Sequence, residues 1–407
     1  MHIDFTLHIN YTLIKHNERR IRMKNKIISL ITVVILTLAS LSGCGYSDNT
    51  NETIPTQATT NVVNTQPPTQ PIEVKDKIDE LLENMILEEK IGQMFYVRCP
   101  DENAVEKISE YHLGGYILFG RDFADKTKEE VISQIQSYQN NSEIPLLIGT
   151  DEEGGTVTRV SDNTNLRSTP FLSPSDTFAN GGWQAIEDDA QEKADLLLSL
   201  GINVNMAPVC DMTSEPDSFM YYRSFSDNLE YENKFVKTVV DISKQNKLGT
   251  VLKHFPGYGN NEDTHTDIAY DNREYSEFTN RDFIPFETGI NNGADCVLVS
   301  HNIVECMDSE YPASLSENVH KILREELNFD GVIMTDDLYM DAIRNYTGNS
   351  EAAVLAVKAG NDILCCTDFE VQYPAVLEAV QNGEIPISQI DASVRRILEW
   401  KQNLGLI

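Results

Sequence analysis

Residues 253–267 read Lys-His-Phe-Pro-Gly-Tyr-Gly-Asn-Asn-Glu-Asp-Thr-His-Thr-Asp. Asp263 and His265 stand two apart, a spacing that turns both side chains the same way on an extended segment. A carboxylate beside an imidazole orients the ring. The ring itself gives and takes a proton near neutrality, because imidazole titrates at about pH 6.5 when unperturbed. The segment hangs from an apolar run, Thr250-Val251-Leu252, that ends in Lys253 and His254. A second apolar run, Val332-Ile333-Met334-Thr335, ends in Asp336 and Asp337 and so delivers carboxylates to its own tip.

Elements that position such residues alternate along the chain. Short apolar strands are expected at 92–98, 115–119, 145–150, 202–209, 250–254, 296–300, 331–335 and 362–366. Helical spacing is expected over 104–112, 128–139, 184–200, 231–245, 279–291, 317–327, 351–359, 373–381 and 393–403. Strands that each lead into a helix predict an α/β fold, a single (β/α)8 TIM-type barrel. An open doubly wound sheet would show a glycine-rich phosphate loop after its first strand, and the sequence has none. In the barrel, Asp151, Asp211, Lys253 with His254, Ser300 with His301, and Asp336 end five successive strands. They gather at the C-terminal rim, where barrel enzymes keep their chemistry.

The N-terminal part reads differently. Met23-Lys24-Asn25-Lys26 opens a basic flank, Ile27 to Leu41 is apolar, and Leu41-Ser42-Gly43-Cys44 closes the stretch. It is shorter than the roughly 20 residues of a membrane span and has the layout of an export signal. Met23 is an alternative start. Residues 45–75 are rich in Thr, Asn, Gln and Pro and predict a disordered linker, leaving 76–407 as one catalytic domain. The net charge of −32 disfavours nucleic acid and anionic lipid surfaces as direct partners. The seven cysteines include no Cys-x-x-Cys pair, and Cys99, Cys210, Cys296, Cys365 and Cys366 fall in or beside apolar strands, as buried free thiols do. No compact ligand spacing suggests a metal, and no cofactor is expected.

Five motifs, each at its proper strand end, resemble glycoside hydrolase family 3, in particular its bacterial β-N-acetylglucosaminidase branch. They are Gly149-Thr150-Asp151-Glu152-Glu153-Gly154-Gly155 with Arg159; Asn205-Met206-Ala207-Pro208-Val209-Cys210-Asp211; Arg223-Ser224-Phe225; Lys253-His254-Phe255-Pro256-Gly257 with Asp263-Thr264-His265; and Thr335-Asp336-Asp337-Leu338. The resemblance runs from about Met85 to the C-terminus. It implies Asp336 as nucleophile, His265 as general acid/base and Asp263 as its partner. It implies Asp151, Arg159, Arg223, Lys253 and His254 as holders of the sugar hydroxyls, and His301 as a residue lining the site. Asp337 competes with Asp336 for the attacking role, and the motif favours Asp336. Tyr258 stands where the pattern usually has a second His, and Glu152 where Gln is common. Larger members carry a second domain that often supplies a carboxylate acid; an end at Ile407 fits the branch that uses His. The Leu-Ser-Gly-Cys ending resembles a bacterial lipoprotein box, which implies lipidation of Cys44, a membrane contact through that anchor alone, and an extracytoplasmic location.

The activity implied is that of a retaining exo-β-N-acetylglucosaminidase acting on cell-wall or chitin-type oligosaccharides through a glycosyl-enzyme. Another β-glycosidase of the family, a glycoside phosphorylase and a non-catalytic sugar-binding lipoprotein are the alternatives. The intact set of Asp336, Asp263 and His265 argues against mere binding, which needs none of the three.

Overall fold

The computed structural model describes residues 77–261, 268–347 and 349–407. The signal stretch, Cys44 and the linker lie outside the described residues, as do Asp263 and His265. Among the described residues no helix is long and apolar enough to cross a membrane.

Eight parallel strands form the barrel: β1 Phe95–Arg98, β2 Gly115–Leu118, β3 Leu147–Thr150, β4 Val204–Asn205, β5 Gly249–Phe255, β6 Cys296–Val299, β7 Val332–Thr335 and β8 Leu364–Cys366. Each pairs with its neighbour in sequence, and β1 also pairs with β8 through Phe95 opposite Leu364. A bridge between Met334 and Ile363, with Thr335 N donating to Ile363 O at 3.1 Å, joins β7 to β8 and completes the ring. Both faces of every strand are covered, which is why the strands read as continuous apolar runs rather than as alternating ones.

The helices follow local signals. Thr127 caps helix Lys128–Asn140: its hydroxyl accepts from Glu130 N at 3.3 Å, and the Glu130 carboxylate accepts from Thr127 N at 2.8 Å. Its apolar stripe of Val131, Ile135 and Tyr138 is buried against the barrel. Asn228 Oδ1 accepts from Glu230 N and Tyr231 N, so the next long helix, Leu229–Asn246, begins two residues before the expected 231. The helix expected at 184–200 is preceded by another turn set, because Ser173 and Pro174 start it at Pro174. Gly182, at φ 64°, breaks that run into two. The first strand is shorter than expected at its start, since Gly92 and Gln93 end helix Leu87–Gln93 instead.

The last helix, Ile387–Asn403, crosses the N-terminal end of the barrel. Ser393 Oγ donates to Asp362 Oδ1 at 2.8 Å just before β8, and Trp400 lies against Gly249 at the start of β5. Lys401 Nζ donates to Gln93 Oε1 at 2.7 Å and to the carbonyl of Gly114 at 3.0 Å, beneath β1 and β2. This helix is the floor of the barrel. Emptying the Trp400 position would cost about 3–5 kcal/mol by the cavity it leaves.

Candidate active site

Alternation along the strands decides what faces the interior. Phe95 turns outward, with its ring 5.6 Å from that of Tyr373 in helix Phe369–Gln381. Tyr96 therefore turns inward. A Cβ on Gly149 would lie 1.7 Å from the Tyr96 hydroxyl, so only glycine fits there on β3. Asp151 follows two residues later and also faces the mouth.

Lys253 Nζ sits between two carboxylates, 2.7 Å from Asp151 Oδ1 and 2.6 Å from Glu153 Oε1. Glu153 in turn holds Arg223 with two hydrogen bonds, from Nε at 2.9 Å and Nη2 at 2.8 Å. Burial alone would push the Glu153 carboxyl up. The Lys253 and Arg223 charges outweigh it and hold the group well below the usual carboxylate range. Burial likewise works against the Lys253 ammonium, yet Asp151 and Glu153 keep its pKa raised. Two acids and two cations thus make a balanced, buried cluster under the rim.

His254 is tied into the same cluster. Asp211 Oδ2 accepts from its main-chain N–H and from ring Nδ1, and Arg223 Nη2 lies 3.2 Å from ring Nε2. Arginine has no acceptor, so Nε2 carries a lone pair there and Nδ1 carries the proton. Lys253 and His254 are adjacent, and strict alternation would send them to opposite faces. The pairing of β5 with β6 shifts register between Leu252 and Phe255, and both side chains reach the same cluster.

The other expected residues fall around this centre. Asp336 lies at the tip of β7, where its N donates to Val299 O at 3.1 Å and its Oδ1 accepts from Asp337 N at 2.9 Å. Asp337 turns to the neighbouring strand: its carboxylate accepts from Thr367 N and Tyr339 N, both at 3.0 Å, and from the Thr367 hydroxyl. His301 is fully buried, with Nδ1 2.7 Å from Ser314 Oγ and Nε2 donating to Asp337 O at 3.1 Å. It braces the segment behind Asp336. Arg159 lies beyond β3 and makes one side-chain hydrogen bond, from Nη1 to Thr158 O at 3.0 Å. Glu152, fully buried, holds the Arg159 segment by accepting from Arg159 N at 3.1 Å and Val160 N at 2.7 Å. Tyr258 packs its ring 5.3 Å from that of His254, and its N donates to Asp211 Oδ1 at 2.7 Å. The two departures from the usual motif therefore bear on the site through what they hold.

Sequence reasoning gave Glu153 no role, although it stands two residues after Asp151 and so faces the same way. That spacing was a usable signal. The work of Asp211 on His254, across 43 positions of chain, had no local signature. Among the described residues no set of three His, Cys, Asp or Glu side chains is grouped as metal ligands. The described cysteines are free, and all except Cys306 are buried.

Residues 86–400 match the glycosyl hydrolase family 3 N terminal domain. The chain belongs to glycosyl hydrolase family 3. This family 3 chain is 30% identical over 326 residues to "Beta-hexosaminidase LpqI" of Mycobacterium tuberculosis, covering 77% of this chain and 82% of that one. It is 31% identical over 322 residues to "Beta-hexosaminidase" of Haemophilus influenzae, covering 74% and 87%. Among solved structures it is similar to a family 3 β-N-acetylglucosaminidase from Paenibacillus, with a TM-score of 0.74, 32% identity and coverage of 79% of this chain. It spans 63% of that longer chain. As a member of the family, the chain is a glycoside hydrolase.

Proposed function

We propose that this glycoside hydrolase is a retaining exo-β-N-acetylglucosaminidase. The observation that carries the reading is the buried cluster of Asp151, Glu153, Lys253, Arg223 and His254 beside a strand tip that presents Asp336. Charged donors and acceptors fixed in place suit the hydroxyls of a terminal sugar, and Asp336 suits attack at its anomeric carbon. Relatives named β-hexosaminidase support the choice of sugar.

In the proposed first step an Asp336 oxygen bonds to C1 while the C1–O bond to the leaving unit breaks. His265, oriented by Asp263, gives its proton to the departing oxygen. In the second step His265 takes a proton from water, the water oxygen bonds to C1, and the bond to Asp336 breaks. Two displacements return the β configuration. An imidazole replaces the second carboxyl group that retaining enzymes usually carry.

Incubation of the full chain with 4-nitrophenyl N-acetyl-β-glucosaminide, followed by proton NMR of the first sugar formed, tests this. Release of the β anomer is expected; release of the α anomer, or no hydrolysis beside ready cleavage of the β-glucoside, overturns it.

The proposed location is extracytoplasmic, held by a lipid on Cys44. The Leu-Ser-Gly-Cys sequence supports it, as does similarity to a protein named as a secreted glycosyl hydrolase in Arthroderma benhamiae. Labelling with a radioactive fatty acid in a bacterial host checks it: label should enter the full chain and be lost in Cys44→Ser.

A further inference from the structure

Two tyrosines at the rim belong to none of the packed apolar clusters. The loop from β4 to helix Leu229–Asn246 sends Arg223 inward to Glu153, while the two residues before it stay in solvent. Tyr221 and Tyr222 are 37% and 62% exposed, with ring centroids 5.2 Å apart at 90°. They border a cavity of about 440 Å³ between this loop and the start of helix Pro174–Leu200. None of Asp151, Glu153, Arg223, Lys253 and His254 lines it, so it is separate from the charged cluster. Small-molecule sites occupy about 300–1,000 Å³, and this cavity is of that size. Exposed aromatic side chains scattered singly are ordinary, but two side by side over a cavity mark a surface that binds.

The lining says what chemistry fits. Beside the tyrosines stand the hydroxyls of Ser173, Thr213 and Ser226 and the carboxylates of Asp176 and Asp227. No lysine or arginine is among the described lining residues. An anion would meet two negative charges and no cation. A wholly apolar ligand would leave the hydroxyls and carboxylates without water or partner. A neutral pyranose satisfies both conditions. The C–H groups of its ring face pack on aromatic faces, and the hydroxyls at its edge donate to carboxylates and exchange hydrogen bonds with serine. Among the described residues the exposed Asp227 carboxylate has no partner, which leaves it to accept.

The walls are already set. Ser224 donates to Met220 O from its main-chain N at 2.8 Å and from Oγ at 3.0 Å, which closes the tyrosine segment into a turn. Ser226 N donates to Glu232 Oε2 at 3.1 Å, and the Phe225 ring stacks on Phe235 with centroids 4.6 Å apart. On the opposite wall Ser173 Oγ donates to Asp176 Oδ2 at 2.7 Å. Walls held in this way spare binding the cost of ordering them. We propose that this cavity is a second sugar site, which takes an internal pyranose unit of a neutral polysaccharide while the barrel mouth takes a chain end. The choice of an N-acetylglucosamine polymer as that polysaccharide rests on the glycosidase reading given above.

Co-sedimentation of the full chain with insoluble chitin, and in parallel with cellulose, tests this. A site that works from the chain end finds few ends on an insoluble polymer, so retention there reads the internal-unit site. Wild type should bind chitin at least about tenfold more tightly than Tyr221→Ala/Tyr222→Ala. Tyr221→Phe/Tyr222→Phe should keep most of the retention, because the ring faces remain, and Asp227→Ala should lose part of it. No retention on either polymer, or retention that the alanine pair does not lower, overturns the proposal. Tyrosine-dependent retention on cellulose alone upholds the sugar site and overturns the choice of N-acetylglucosamine. Hydrolysis of 4-nitrophenyl N-acetyl-β-glucosaminide is read on the same wild-type preparation. If it is absent while tyrosine-dependent retention persists, the glycosidase reading fails and the second site stands.

Discussion

Asp211 Oδ2 accepts from the main-chain N–H of His254 at 2.9 Å and from its ring Nδ1 at 2.7 Å. One carboxylate oxygen thus fixes both the backbone and the ring of a single residue, while its twin holds Tyr258 N. The Asp211→Asn variant keeps the shape but removes the charge that favours the Nδ1 proton. The ring then loses its fixed tautomer, and Nε2 no longer faces Arg223 as a lone pair. Steady-state kinetics on an aryl N-acetyl-β-glucosaminide should show kcat/KM lower by about 10- to 100-fold. Unchanged kinetics would remove His254 from the sugar site.

Glu153 makes a separate prediction about stability. It is the common partner of Lys253 and Arg223, both nearly buried. Glu153→Ala leaves Lys253 paired with Asp151 and takes from Arg223 the carboxylate it is paired with, and loss of one member of a buried ion cluster costs about 3–5 kcal/mol. Urea unfolding at neutral pH measures it. The native pKa lies below the unfolded value near 4.5, so this stabilisation is whole above that value and fades as pH falls toward the native one. Glu153→Gln, which mimics the protonated group, should flatten that part of the acid unfolding profile.

Asp336 and Asp337 should separate cleanly. Asp337 is engaged with Thr367 and Tyr339, whereas Asp336 stands at the strand tip. Asp336→Ala should retain the melting temperature within a few degrees and lose turnover by roughly a thousandfold or more. Asp337→Ala should instead lower the melting temperature, by loosening the segment after β8. The opposite pattern would transfer the attacking role to Asp337.

Lys401 gives a pH dependence of the reverse sign to the usual one. Burial lowers its pKa from 10.5 to about 7, because no carboxylate is there to offset the desolvated charge. Between those values the unfolded chain binds a proton that the native chain does not. Stability therefore rises as pH increases from about 7 toward 10.5. Burial also raises carboxyls, Asp282 and Asp295 to about 6 and Glu232 well above its ordinary value, and a raised carboxyl loses stability as pH rises, so the Lys401 contribution is read as the difference from a variant that lacks the amine. The melting temperature of wild type should climb between pH 7 and 9 relative to that of Lys401→Met measured at the same pH; a constant difference would refute the assignment.

The barrel and the rim were readable because both depend on short-range pattern. Apolar runs such as Val332 to Thr335 name a strand buried on both faces, and the polar residue that follows each run is at the rim by construction. Start points of helices were less readable: the caps Ser173 and Asn228 act before the apolar spacing begins. Contacts across the ring were not readable at all. Nothing near Gln93 announces that Lys401 will reach it. The adjacent pair Lys253 and His254 violates simple alternation, and the register shift between Leu252 and Phe255 is what lets both serve one cluster.

The floor helix makes the two ends of this molecule unlike. Trp400 and Lys401 stopper one end, while the chemistry opens at the other. A carrier bead or fusion partner joined through the carboxyl terminus would meet the stoppered side and leave the opening turned outward. The same handle placed on the loops after β4 or β7 would stand in the doorway.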